Sequence, residues 1–120
     1  MQAELRKTFH FDAGHHLLHV GPEHKCARPH GHGYTVTVCI TGPIDSQVGW
    51  VMDFAQIKRV VGPLIEQFDH ADLNQVQGLA NTTSECIAVW LWERIKPHLS
   101  ELSAVEVSET AGACCIYRGT

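Results

Sequence analysis

Two alternating runs constrain this chain more than any other feature. In ELRKTFHFDA, residues 4–13, Leu5, Phe9, Phe11 and Ala13 share one parity, while Glu4, Arg6, Thr8, His10 and Asp12 share the other; Lys7 is the exception on the apolar side. In GYTVTVCITG, residues 33–42, Tyr34, Val36, Val38 and Ile40 alternate with Thr35, Thr37, Cys39 and Thr41. Period-two alternation marks a strand with one packed face and one wetter face. The connection over 16–31 is rich in His, Gly and Pro and long for a simple hairpin. Ordered loops of that length in small domains are often functional.

Further along, the period changes. Phe54, Ile57, Val61, Leu64, Ile65 and Phe68 recur at helical spacing behind Asp53 and Gln56, which have capping-box spacing. Pro63 falls inside that run and predicts a kink, or a helix broken in two near Gly62. Thr82 and Glu85 form a second capping-box candidate, ahead of a helix carrying Ile87, Ala88, Trp90, Leu91, Ile95 and Leu99 and ending near Pro97 or His98. SAVEVSETAGACCIYRG then reads as two short strands turning at Ala111-Gly112. The order strand, strand, helix, helix, strand, strand predicts an α+β fold: one domain over residues 1–120, with an antiparallel sheet and helices on one face. Its open edge strands favour self-association.

Composition narrows the function classes. A net charge of −4 and the absence of a basic stripe argue against general nucleic-acid binding. The opening MQAELRKTFHFDAGHH has no long apolar run, so the expectation is a cytoplasmic protein without a membrane span. Five cysteines, with no CxxC pair, fit neither a disulfide scaffold nor a four-cysteine zinc site. There is no Walker A run, dinucleotide-binding glycine pattern, nucleophile-elbow serine or HExxH.

The nine histidines are unevenly spread, with seven between His10 and His32. His30 and His32 are one glycine apart, so on extended backbone both imidazoles point the same way. Two such nitrogens suit a borderline ion such as zinc, and His15, at the end of the first strand, is the best-placed third ligand. Three protein ligands with an open position make a catalytic site. Adding Cys26 as a fourth would close the shell and make a structural one. Cys26 lies beside Lys25 and near Arg28, whose charge favours a thiolate, so it is equally a candidate base or nucleophile. Asp69 directly precedes His70, and a carboxylate can fix an imidazole tautomer. Glu109 falls on the apolar parity of its strand, where a carboxylate must be paired, solvated or committed to a ligand. It could accept two hydrogen bonds from a guanidine-like ring edge.

FDAGH at 11–15, CARPHGHGY at 26–34, GWVMDF at 49–54, FDHADLN at 68–74, TTSE at 82–85 and SETAGACCIYRG at 108–119 together resemble the 6-pyruvoyltetrahydropterin synthase family, over nearly the whole length. The resemblance implies the tunnelling fold, a four-stranded antiparallel sheet with two helices inserted between strands 2 and 3. It implies a homohexamer, a dimer of trimers with intersubunit active sites. It assigns zinc to His15, His30 and His32, and catalysis to Cys26 together with Asp69 and His70 of a neighbouring subunit. Glu109 and Thr83 are assigned to the pterin, and Lys25, Arg28 and His24 are candidates for the triphosphate. The implied substrate is 7,8-dihydroneopterin triphosphate. The compact length and the CARPHGHGY form point to the branch that makes 6-carboxytetrahydropterin for queuosine and 7-deazaguanine biosynthesis. The alternatives are the branch that keeps the three-carbon side chain and a non-catalytic zinc-stabilised module. Retention of Cys26 disfavours the family's aldolase variant.

Overall fold

The computed structural model describes all 120 residues, Met1–Thr120. Two long strands dominate it: β1, Gln2–His15, and β2, His30–Pro43, paired antiparallel over their whole length from Gln2↔Pro43 to His15↔His30. Two helices follow, α1 over Phe54–Phe68 and α2 over Ser84–Ile95, then β3 over Leu102–Thr110 and β4 over Ala113–Tyr117. The sheet order is β1-β2-β3-β4, antiparallel throughout, with both helices inserted between β2 and β3.

The core lies between one sheet face and the helices. Phe11, Ala13, Tyr34, Val36, Val38, Ile40, Val105 and Val107 meet Ile57, Val61, Ile65 and Phe68 of α1 and Ile87, Ala88, Leu91 and Ile95 of α2. Each set follows the period of its element, so alternation and helical spacing both find a partner surface. At the site end, Phe11 stacks on Tyr34 with centroids 4.7 Å apart.

The opposite sheet face carries no helix, yet Cys39 on it is buried. Arg6 and Glu106 reach across β2 and form a bidentate ion pair over that thiol, which donates to Glu106 Oε2 at 3.3 Å. Burial first, and then the Glu106 contact, pushes the Cys39 thiol up to about 12. Cys114 shares this face and is exposed rather than packed.

Three expectations need correction. Of the two outcomes expected at Pro63, the break does not occur: α1 runs on through it. The missing proline N–H would have met the Arg59 carbonyl, and both residues lie on the exposed side, where water can serve that carbonyl. The cap of α2 is Thr83, not Thr82: its hydroxyl accepts from Cys86 N–H at 3.2 Å. α2 itself stops at Ile95, with Lys96 as its cap, two residues short of the expected end. No helix is long and apolar enough to cross a membrane.

Candidate metal centre

Strand register brings three imidazoles together. His15 pairs with His30 and Ala13 with His32, and opposed residues of an antiparallel ladder share a face. All three rings therefore project from the face of Phe11 and Tyr34, at the open end of the core. Their centroids are 4.6, 4.8 and 5.0 Å apart, and one nitrogen from each lies within 4.8 Å of the others.

Two tautomers are fixed by the backbone. His15 Nδ1 is 2.9 Å from the Thr82 carbonyl, and His30 Nδ1 is 2.7 Å from the Arg28 carbonyl. A carbonyl only accepts, so each Nδ1 carries the proton and each Nε2 keeps its lone pair. His15 Nε2 and His32 Nε2 are buried without a hydrogen-bond partner. Buried nitrogens are normally satisfied, and a shared cation would satisfy these. His15 is 2% exposed, and that burial is the main cause holding its pKa below the ordinary histidine value. It is thereby kept neutral, the form that ligates. The three residues could hold a metal ion, and the donor set fits zinc.

Cys26 stands outside this group of nitrogens. It sits in a helical turn, Lys25–Ala27, with its N–H on His24 Nδ1 at 3.0 Å and its carbonyl receiving Leu17 N–H at 2.7 Å. The thiol is free and half-buried. That arrangement favours the open three-ligand site over a closed Cys-His-His-His shell.

Glu109 lies on β3 with Oε2 3.6 Å from His32 Nε2. It also lines a groove of about 350 Å³ with Ser84, Glu85 and Thr110. Its apolar parity puts it on the sheet face of the imidazoles, where it is half-buried. The buried Tyr34 hydroxyl has no partner, and burial, then the Glu109 charge, raises its pKa above the ordinary phenol value.

Asp69 and His70 lie where the chain leaves α1 and runs along the free edge of β1. His70 N–H donates to the Asp12 carbonyl at 2.6 Å, Gly14 N–H to the Ala71 carbonyl at 3.0 Å, and Asp12 N–H to Asp69 Oδ1 at 3.1 Å. These bonds hold His70 at φ 58, the chain's one non-glycine residue with positive φ. A left-handed histidine persists only when its surroundings enforce it, and such positions gather at working sites. His70 Nδ1 is 3.2 Å from Asp69 Oδ1, with the imidazole side chain 80% exposed. His70 and His32 line one open groove of about 500 Å³ with Gly14, Gly31 and Gly33. Cys26 is not among its walls.

Thr83 is engaged as the helix cap. The residue that sequence reasoning underrated is Thr82, fully buried with its carbonyl on the candidate ligand His15. No residue pattern signals this, because any residue has a carbonyl.

Comparison with known proteins agrees with this geometry. The family model for 6-pyruvoyl tetrahydropterin synthase matches residues 4–120. A 6-carboxy-5,6,7,8-tetrahydropterin synthase of Synechocystis is 37% identical over 94% of this chain and 91% of its own. A dihydroneopterin monophosphate aldolase of Pyrococcus furiosus is 34% identical over 82% and 80%. The solved 6-pyruvoyl tetrahydropterin synthase of Caenorhabditis elegans superposes with a TM-score of 0.91 at 26% identity, covering 100% of this chain and 97% of its own. Three differently named activities thus share one scaffold, and by sequence and fold alike the chain belongs to the 6-pyruvoyl tetrahydropterin synthase family.

Proposed function

We propose that the protein is a zinc-dependent 6-carboxytetrahydropterin synthase. It converts 7,8-dihydroneopterin triphosphate and water to 6-carboxytetrahydropterin, acetaldehyde and triphosphate, as a step toward queuosine and other 7-deazaguanines. The observation that carries the reading is the trio of clustered imidazoles with two orphaned, buried Nε2 atoms, set beside a half-buried carboxylate. Similarity to the Synechocystis enzyme over most of both chains supports the carboxy product.

Zinc held by His15, His30 and His32 supplies Lewis acidity toward the substrate's side-chain hydroxyls. Glu109 accepts hydrogen bonds from the amino and ring N–H groups of the pterin, which fixes the ring relative to the imidazoles. Cys26 takes and returns protons on the side-chain carbons, and His70 serves as its partner acid and base. Asp69, with Oδ1 3.2 Å from His70 Nδ1, supplies the negative charge beside that ring. Their net effect is an internal redox step: the side chain is oxidised as the dihydropterin ring is reduced, and triphosphate leaves. Cleavage between the first two side-chain carbons then yields acetaldehyde and the carboxylate. We place Cys26 and the Asp69–His70 pair of one site on different subunits of a hexamer.

The near-complete structural match to the C. elegans protein favours a second reading, in which the three-carbon side chain is retained. Product analysis separates the two. Zinc-loaded protein is incubated with 7,8-dihydroneopterin triphosphate, and products are identified by mass spectrometry and an acetaldehyde assay. A 6-carboxy product with acetaldehyde is expected. A 6-pyruvoyl product without acetaldehyde would overturn the carboxy assignment while leaving the metal and proton-transfer reading in place.

A further inference from the structure

Beside the three imidazoles lies a set of polar bonds that the proposed chemistry does not use. They converge on the peptide of His16, directly after ligand His15. Asn74 Oδ1 accepts from His16 N–H at 2.9 Å, and Asn74 Nδ2 donates to the His16 carbonyl at 3.0 Å. The same Nδ2 donates to the Ala80 carbonyl at 3.4 Å. Thr82 donates its hydroxyl to the His16 carbonyl at 3.3 Å, while its own carbonyl receives His15 Nδ1 at 2.9 Å.

β1 ends at His15, so past that residue the ladder no longer fixes the backbone. The Asn74 amide supplies the donor and acceptor that a neighbouring strand would have offered. It does more than finish a strand. By tying His16 to Ala80, it connects the backbone of ligand His15 to the segment that carries the acceptor for the His15 ring. Asn74 is itself placed by Asp72, whose carboxylate accepts from Asn74 N–H at 3.1 Å.

We infer that Asn74, acting with Thr82, is a positioning residue for the metal centre: it locks the His16 peptide so that His15 keeps Nδ1 on the Thr82 carbonyl and Nε2 turned to the other imidazoles. The inference rests on the reading that His15, His30 and His32 hold zinc. Outer hydrogen bonds to a ligating histidine fix its tautomer and orientation, and their loss typically weakens metal binding roughly 10–100-fold.

The test is zinc affinity of the full chain, measured by competition with a chromophoric chelator at one pH, beside the melting temperature of the metal-free protein. Asn74→Ala is expected to weaken zinc by roughly 10–100-fold. Asn74→Asp keeps the acceptor for His16 N–H but turns an oxygen toward the His16 carbonyl, and it should weaken zinc as well. It carries the test if the alanine variant does not fold. Leu99→Ala, a core truncation at the far end of the sheet, should lower the melting temperature and leave zinc affinity intact. Folded Asn74 variants that bind zinc as tightly as the unsubstituted chain would overturn the inference alone. An unsubstituted chain that fails to bind zinc would overturn the metal reading and this inference with it.

Discussion

Cys26 is the side chain whose removal separates chemistry from scaffold. Its thiol is free and stands outside the group of imidazole nitrogens, so Cys26→Ala should retain zinc and fold while turnover falls by about 10²–10⁴-fold, the usual weight of a positioned acid–base group. Steady-state rates and zinc content of the same preparation check this, and turnover within tenfold of the parent would remove Cys26 from the mechanism. Glu106 offers a different test, of stability against pH. The hydrogen bond from Arg6 is the main cause holding its carboxyl below the ordinary glutamate value. A depressed folded pKa means that the stabilisation is complete above the unfolded value, about 4.3, and is lost as pH falls through the folded one. Urea midpoints over pH 3–6 should therefore drop more steeply for the parent than for Glu106→Gln. Equal slopes would show that the pair contributes nothing to acid sensitivity.

Among the elements, α1 and α2 make opposite predictions at their anomalous residues. Pro63 is exposed inside α1, so Pro63→Ala restores a backbone donor on the solvent side of the helix. A gain of about 1–3 kcal/mol in urea unfolding is expected, reduced by the extra freedom of the unfolded chain. A loss would mean that α1 relies on the proline to lie correctly on the sheet. Thr83→Ala removes the N-cap of α2 and should cost about 1 kcal/mol, whereas Thr83→Ser should keep most of it. A rise in KM for Thr83→Ala beyond that of an equally destabilised variant would support the pterin contact; an unchanged KM would leave Thr83 as a cap only. These two helices also show where local sequence stops being informative. The alternation of β1 and β2 and the Ala111-Gly112 turn were legible because each is a local pattern with one physical meaning. The parity of Glu109 and the His-Gly-His spacing were legible for the same reason. Pro63 misled because its cost depends on whether the Arg59 carbonyl faces water, which only packing decides. Thr82 and Thr83 are chemically alike, and the cap went to the later one because Thr82 is drawn into the core by His15 and His16. The ladder extends to His15 and His30 because their pairing completes it, a long-range cause invisible in a run of histidines and glycines.

At the scale of the whole molecule, the chain is more extended than a finished particle of its size. Its radius of gyration is 15.5 Å, against about 13.6 Å for a compact domain of this length. Its surface is 7118 Å², against roughly 6,500 Å² from the size scaling of monomers. The excess comes with the long β1–β2 hairpin, and the edges of β4 and of β1 ahead of Asp12 leave backbone groups for another strand to pair. Self-association of this kind bears directly on the proposed site, because the Asp69–His70 pair at the β1 edge and the Cys26 turn stand on different parts of one chain. If they meet between subunits, Cys26→Ala and His70→Ala, each inactive alone, should complement each other. Dissociated and reassembled as an equal mixture, random pairing gives roughly a quarter of sites with both residues intact, and activity should recover toward that fraction. The unmixed variants carried through the same cycle serve as the baseline. If instead His70 acts in the groove it shares with His32 of its own chain, and Cys26 does too, every site in the mixture lacks one residue and activity stays at that baseline. Native mass spectrometry of the same mixture confirms that subunits exchanged, so a flat result locates the whole catalytic group within one chain.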